Sequence, residues 1–272
     1  MTLLKMGIAI VMVLFLSVLA EVASPRFAGI FSGYPLGAAI NLFFIGIEIS
    51  PEFASESALY TALGLIATQV FAYGYFQISV RLRSPNGIGP TAAASLTGIA
   101  GYFASAAVLR TMPVSLVTAI LFPSLSILAF NYLFRGLRNV TIQSRVGLSA
   151  QVLLFRSVFA ASAIVLVTST AKLAGPRWAG LFSAFPITML PFVAIIHLTY
   201  GAEYAQTVLK NVPRGLTSLV VYSVAVSVSY KSLGVYAGTA IAYGLATLCL
   251  VAMQLHARRG LETASPVPRR AR

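Results

Sequence analysis

The sequence predicts an all-α protein: a polytopic transmembrane helix bundle of about nine spans, built as two inverted four-span repeats. Three observations predict this fold. Of the 272 residues, 58% are hydrophobic and 9% are charged, whereas roughly a quarter of a soluble domain is charged. Long apolar stretches recur along the chain, and an eleven-residue motif occurs twice at an offset of 151 residues. Internal duplication of apolar segments is typical of transporter-like membrane folds.

A helix needs about 20 mostly apolar residues to cross a bilayer. Nine stretches meet this condition, and the fourth and ninth are rich in Gly and Ala, which lets helices approach closely. The predicted spans are residues 6–23, 26–49, 57–80, 87–109, 113–134, 150–171, 177–200, 212–230 and 233–256.

The spans divide the chain into four parts. Residues 1–110 form the first four-span repeat, 111–149 a linker helix with a basic loop, and 150–258 the second repeat. The tail, residues 259–272, is rich in Pro and Arg, so we expect it to be disordered.

The first span has a second interpretation. Lys5, an apolar run and the residues Val18–Ala20 resemble a signal peptide that would be cleaved from the mature protein. However, residues 5–24 align at the offset of 151 with residues 156–175, which lie in the middle of the chain. We therefore expect a membrane span, and N-terminal sequencing of the mature protein distinguishes the two interpretations.

The duplicated motif reads PRFAGIFSGYP at residues 25–35 and PRWAGLFSAFP at residues 176–186, with seven of the eleven positions identical. An odd number of predicted spans separates equivalent points, so the second copy enters the membrane from the opposite side. The copies are therefore predicted to be inverted about an axis in the membrane plane, the symmetry that supports an outward-open and an inward-open state.

The positions of Lys and Arg predict the orientation, because cytoplasmic loops are enriched in these residues. With nine spans, fourteen cations lie on one side of the membrane and five on the other, so we expect the N-terminus outside and the C-terminus in the cytoplasm. The larger set is Arg26, Arg81, Arg83, Arg135, Arg138, Arg145, Arg156, Lys210, Arg214, Arg258, Arg259, Arg269, Arg270 and Arg272, and the smaller is Lys5, Arg110, Lys172, Arg177 and Lys231.

The net charge of +13 favours one kind of partner. Because the cations lie between apolar spans and in the tail, we expect contact with anionic lipid headgroups of the bilayer rather than with nucleic acid. The single cysteine, Cys249, excludes an intramolecular disulfide and a cysteine metal cluster. The chain has no catalytic or phosphate-binding signature, so we expect no enzyme activity, cofactor or metal. The oligomeric state is left open.

The second half carries a recognisable succession of motifs: Trp178–Pro186, then Val193–Gly201, then two Gly/Ala-rich spans. Over about 105 residues it resembles the GlpM-like family of small four-span bacterial inner-membrane proteins. The first half resembles the family weakly, with Gly46 in the place of His197. The resemblance implies a four-helix unit in the bacterial cytoplasmic membrane and supplies no biochemical activity. This chain would be two such units joined by a linker helix.

The prolines that end the motif are the first candidate site. Pro35 and Pro186 lie about ten residues into the second span of each half, where proline frees backbone carbonyls of the preceding turn. Such groups are tolerated in a membrane only inside protein or beside a wet cavity. Ser32 and Ser183 are candidate hydrogen-bond donors to some of these carbonyls, and Tyr34 is adjacent to Pro35. The break is either part of a substrate site or a packing kink at the repeat interface.

Two further polar groups lie in the second spans. His197 is the only histidine inside a predicted span, and its charge would change near neutral pH. The alternative is a neutral histidine that hydrogen-bonds across helices. Asn41 and Glu48 lie on one face of the second span. The Glu48 carboxylate would bind a cation or relay protons there. The alternative is that Glu48 is an interfacial residue in water.

The third span places Gln69, Tyr73 and Gln77 on one face, where the second half has valines. A weakly polar or amphiphilic solute would suit this stripe, and hydrogen bonding between helices explains it equally well. The sequence therefore predicts a small-solute transporter of unknown substrate. The alternative is a non-transporting scaffold or accessory subunit for envelope polysaccharide assembly; an intramembrane enzyme lacks catalytic groups.

Overall fold

The structure, a computed structural model, describes residues 34–82, 87–136, 140 and 150–263, together with residues 4, 7, 10 and 11. Within these residues the chain is all-α, as predicted, and contains seven helices and no strand. They are α1 (Leu36–Glu48), α2 (Pro51–Arg81), α3 (Ile88–Leu109), α4 (Leu116–Leu133), α5 (Ala150–Ser183), α6 (Met189–Tyr200) and α7 (Ala202–Thr263).

The longest helix, α7, folds back on itself at Gly234. This residue has φ 78° and ψ 173°, a conformation that only glycine adopts readily. The rings of Tyr222 and Tyr243 have centroids 5.0 Å apart, although 21 residues of straight helix would separate them by about 31 Å. The two arms of α7, residues 202–233 and 235–263, therefore form a helical hairpin.

Helix α5 reverses in the same way at Gly175, which has φ 77° and ψ 168°. Ala163 packs against Ile187, and each lies twelve residues from this glycine. The second arm of α5 and the helix α6 that follows it therefore run back along the first arm.

Four helices in the described residues are long and apolar enough to cross a bilayer: α2, α3, α4 and residues 202–255 of α7. Helices α1 and α6 are apolar but shorter, with 13 and 12 residues. This composition suggests an integral membrane protein. The predicted first span, the motif copy before Tyr34 and the tail beyond Thr263 lie largely or wholly outside the described residues.

Helix α2 begins earlier than the predicted span at residue 57. The Ser50 hydroxyl accepts a hydrogen bond from the Phe53 amide at 3.1 Å, and Pro51 occupies the first helical turn, both favourable at a helix start. The predicted spans leave Glu52 and Glu56 in the loop between residues 49 and 57, but the structure places both in the first turns of α2, where they are exposed.

Helix α2 lies at the centre of the bundle and packs against α1, α3, α4, α5 and α7. In its most apolar stretch 56% of residues are buried, compared with 17% in α4. The outer face of α4 exposes large apolar side chains such as Val117 and Leu128, as expected for a helix that faces lipid.

Candidate functional site

The second half contains a broken helix at the predicted proline. Helix α5 ends at Ser183 and α6 begins at Met189, with Pro186 between them. The Ile187 amide donates to the Phe185 carbonyl at 2.7 Å, and the Leu190 amide donates to the Pro186 carbonyl at 2.9 Å. A tight turn therefore interrupts the helix for several residues.

The same turn occurs at the proline of the first half. The Leu36 amide donates to the Tyr34 carbonyl at 2.7 Å, and the Ala39 amide donates to the Pro35 carbonyl at 3.1 Å, where α1 begins. Each of these atoms lies 151 residues before its counterpart in the second half. The duplicated sequence motif thus ends in a duplicated backbone geometry.

Hydroxyl groups from α2 satisfy the carbonyls around the second break. The Thr61 hydroxyl lies 3.1 Å from the Gly180 carbonyl, and the Thr68 hydroxyl donates to the Ala184 carbonyl at 2.7 Å. Both threonines are buried. Sequence reasoning missed them, although their spacing of seven residues places them on one face of α2.

Helix α3 supplies a third hydroxyl, because Tyr102 donates to the Leu181 carbonyl. The predicted candidate Ser183 has a different partner: its hydroxyl donates to the Ala179 carbonyl at 2.8 Å, one turn back in its own helix. Ser183 therefore does not satisfy the carbonyls at the break.

The second arm of α5 meets α2 at very close range. A β-carbon on Gly180 would lie 2.1 Å from the Ser57 carbonyl oxygen, and one on Gly64 would lie 2.8 Å from the β-carbon of Ala184. The Phe185 ring packs edge-on against Tyr102 with centroids 5.0 Å apart. This crossing is closely packed and largely apolar.

The turn at Pro35 also lies next to hydroxyl groups. The Tyr34 hydroxyl lies 2.7 Å from the Thr247 hydroxyl, and the Tyr34 and Tyr243 ring centroids are 6.2 Å apart. At the equivalent position the second half has Phe185. Hydroxyl groups therefore border both turns, and the two differ in that Tyr34 stands at the position that Phe185 occupies in the second half.

His197 is fully buried in α6. Its Nδ1 lies 3.0 Å from the Tyr75 hydroxyl of α2, and its buried Nε2 has no hydrogen-bond partner among the described residues. Sequence reasoning did not select Tyr75, because only the crossing of α2 and α6 brings the two rings together. At the equivalent position Gly46 has no room for a larger side chain, since a β-carbon would lie 2.9 Å from Val235.

The remaining candidates of the second span differ from each other. Asn41 is fully buried, and neither atom of its amide has a hydrogen-bond partner in the part of the chain that the structure describes, which is energetically unfavourable for an amide. Glu48 is exposed in the last turn of α1, more than three helical turns from the break at Pro35. Ser32 lies outside the described residues.

The polar stripe of α2 faces the linker helix α4. Gln69 donates to the Ser126 hydroxyl at 2.5 Å, and the Tyr73 ring packs edge-on against Phe130 of α4 with centroids 5.9 Å apart. Since Tyr73 and Tyr75 point to opposite sides of α2, this stripe is not brought together with His197. The interhelical interpretation of Gln69 and Tyr73 thus agrees with their contacts.

Three sets of residues therefore remain as site candidates: the turn at Tyr34 and Pro35, the turn at Pro186, and the buried pair of Tyr75 and His197. Among the described residues, no group of three His, Cys, Asp or Glu side chains is arranged to hold a metal ion. Comparison with protein-family models, curated proteins and solved structures finds no match to this chain.

Proposed function

We propose that this protein is a small-solute transporter of the inverted-repeat type, with its substrate site at the two proline-broken helices. The observation that carries the proposal is the repeated turn at Pro35 and Pro186, with matching hydrogen bonds at an offset of 151 residues. Broken helices in corresponding positions of two halves are the best sequence pointer to a transporter binding site.

Nine spans follow if each hairpin arm is counted separately. The two arms of α7, the first arm of α5 and helices α2, α3 and α4 supply six spans. The two broken spans, at Pro35 and at Pro186, are the seventh and eighth. The N-terminal segment, which lies mostly outside the described residues, is the ninth.

The relative direction of α2 and the second broken span supports this topology. Thr61 of α2 contacts Gly180. Tyr75, which lies further along α2, contacts His197, which lies further along the second broken span. The two segments therefore run parallel, as the third and seventh spans of an alternating nine-span chain must.

The direction of α1 gives independent support. Tyr34 contacts Tyr243 near the start of α1, whereas Phe43 contacts Tyr236 near its end. Helix α1 is therefore antiparallel to the second arm of α7, as expected for the second and ninth spans. The GlpM-like family and the bacterial inner membrane remain part of the same proposal.

The two breaks have different roles in this proposal. At the positions equivalent to Thr61 and Thr68 the second half has Val212 and Leu219, both buried and without a hydroxyl. The break at Pro186 is thus held by side chains of α2, whereas the residues at the equivalent positions of the second half carry no hydroxyl donor. We assign the main substrate contacts to the Pro35 side.

A cysteine-accessibility experiment tests transport without a known substrate. In a Cys249→Ser background, Leu36→Cys and Ile187→Cys place single thiols at equivalent buried positions of the two breaks. The variants are reconstituted in proteoliposomes and treated with a membrane-impermeant maleimide from either face. Alternating access predicts that each thiol reacts from both faces, because each break opens to water on both sides in turn.

The control is Leu128→Cys, which is 66% exposed on α4 but would face lipid and should stay unlabelled. If the thiols at residues 36 and 187 also stay unlabelled in a folded protein, transport is contradicted. The alternative of a static scaffold would then be preferred, because the close packing at Gly180 already resembles a permanent helix crossing.

A further inference from the structure

The interior of the described bundle holds very little ionisable chemistry. Among the side chains whose burial the structure describes, no Glu, Lys or Arg is buried, and the whole sequence contains no Asp. His197 is buried. Apart from tyrosines, it is the only titratable side chain that is buried among the described residues. A transporter driven by an ion gradient needs a buried group that binds the ion, so this histidine is the candidate.

The surroundings of the His197 ring define what it can bind. From α2, the Tyr75 hydroxyl is hydrogen-bonded to Nδ1, and Ser95 of α3 lies near the same hydroxyl. Charged side chains do occur on the elements that pack around α6, and those that the structure describes are exposed, except for the half-buried Lys210. They are Glu52, Glu56 and Arg81 of α2, Lys172 and Arg177 of α5, and Glu203, Lys210, Arg214 and Lys231 of α7.

We propose that His197 is the proton-binding group that couples this protein to a proton gradient, with Tyr75 as its positioning residue. The inference rests on the proposed transport function and names its coupling ion. In the neutral tautomer that carries Nδ1–H, this group donates to the Tyr75 oxygen both before and after protonation, so Nε2, which has no partner among the described residues, is the atom that gains the proton. The step is a simple protonation of neutral imidazole and needs no other reactant.

The lack of a nearby carboxylate explains why protonation would be coupled to movement. An imidazolium ion without a counter-ion is unfavourable in a closed, apolar interior. The charged form therefore favours a state in which the ring reaches water or meets an anionic group of the solute. For the same reason Na⁺ is a poor alternative, because it would find no carboxylate ligand here among the described residues.

The two halves also differ in a way that suits a single proton site. The positions equivalent to His197 and Tyr75 are Gly46 and Val226. The close contact of Gly46 with Val235 leaves no space for an imidazole. One proton per cycle is therefore the expected stoichiometry.

Histidine NMR on the full-length protein in nanodiscs tests proton binding directly. The chain has two histidines, so His256→Gln leaves His197 as the only imidazole. Its signals should shift with pH as the imidazole takes up a proton. Tyr75→Phe should move the midpoint by about half a pH unit or more, because it removes the hydrogen bond at Nδ1. An imidazole that does not titrate, or a midpoint that Tyr75→Phe leaves unchanged, would overturn the inference.

Coupling is tested by repeating the Ile187→Cys labelling at about pH 6 and about pH 8. The ratio of labelling from the two faces should change by about threefold or more, and His197→Gln should abolish the change while His256→Gln preserves it. Labelling that is present but independent of pH contradicts the proton coupling alone. No labelling at either pH contradicts transport, whereas the NMR titration still reports proton binding.

Discussion

At the scale of single residues, three hydroxyl groups explain how the chain tolerates a broken helix in an apolar interior. Thr61, Thr68 and Tyr102 donate to carbonyls of the segment 180–184. A carbonyl without a partner is expensive in such surroundings. The prolines were enough to predict a break, but the donors were not predictable, because which carbonyl a hydroxyl reaches depends on how α2 crosses α5.

We expect the double variant Thr61→Val and Thr68→Val to destabilise the protein. The buried Ala184 carbonyl loses the Thr68 hydroxyl as its donor, which costs about 1–3 kcal/mol, and the Gly180 carbonyl keeps only the Ala184 amide as a donor. Thermal unfolding in detergent should show a clear fall in Tm. The matched control is Thr170→Val, whose hydroxyl bonds to the Leu166 carbonyl of its own helix at 2.7 Å. An equal fall in Tm for the control would contradict the role assigned to the two threonines.

At the scale of elements, the two hairpins decide how many times the chain crosses the bundle. Gly175 and Gly234 have nearly identical dihedral angles, close to φ 77° and ψ 170°. The spans at 212–230 and 233–256 were predicted as separate from their apolar length, and Gly234 lies at their junction. The sequence did not indicate that α7 starts as early as Ala202, because the loop before it is reduced to Gly201.

We expect Gly234→Ala to destabilise the protein by about 1–3 kcal/mol, because alanine is strained at φ 78° and ψ 173°. The β-carbon itself would meet no atom within 4 Å, so the loss of stability would come from backbone strain alone. Gly244→Ala also meets nothing within 4 Å but lies inside the second arm, where alanine favours the helix by about 1 kcal/mol. Thermal unfolding should therefore separate the two variants, and a Gly244→Ala variant as unstable as Gly234→Ala would refute this explanation.

At the scale of the whole molecule, the charge rule assigns two loops to the same membrane face, and the packing brings these two loops together at one end of the bundle. Arg110 and Arg177 both belong to the smaller, outer set of cations. In the structure the Arg177 guanidinium donates to the Arg110 carbonyl at 3.4 Å, and Arg110 lies over the Trp178 ring at 5.2 Å. Two loops that the charge rule assigns to the same face are thus adjacent.

We expect a fluorescent protein fused after Arg272 to be fluorescent and a phosphatase at the same point to be inactive, because the C-terminus is predicted in the cytoplasm. A phosphatase fused after Met112, in the predicted outer loop, should be active. Phosphatase activity after Arg272 would reverse the orientation. Equal results at both points would contradict the odd number of spans between them.

The sequence by itself determined the helical character of the chain, the apolar segments that are long enough to cross a membrane and the positions of the two proline turns. These properties depend on local composition: apolar length sets a span, and proline interrupts a helix wherever it lies. Only the tertiary structure decided what meets each break. It assigned Gln69 and Tyr73 to the linker helix, paired Tyr75 with His197 and closed the second break with Thr61 and Thr68. These contacts depend on crossing angles and close approaches between distant segments, which a pattern along one chain does not specify.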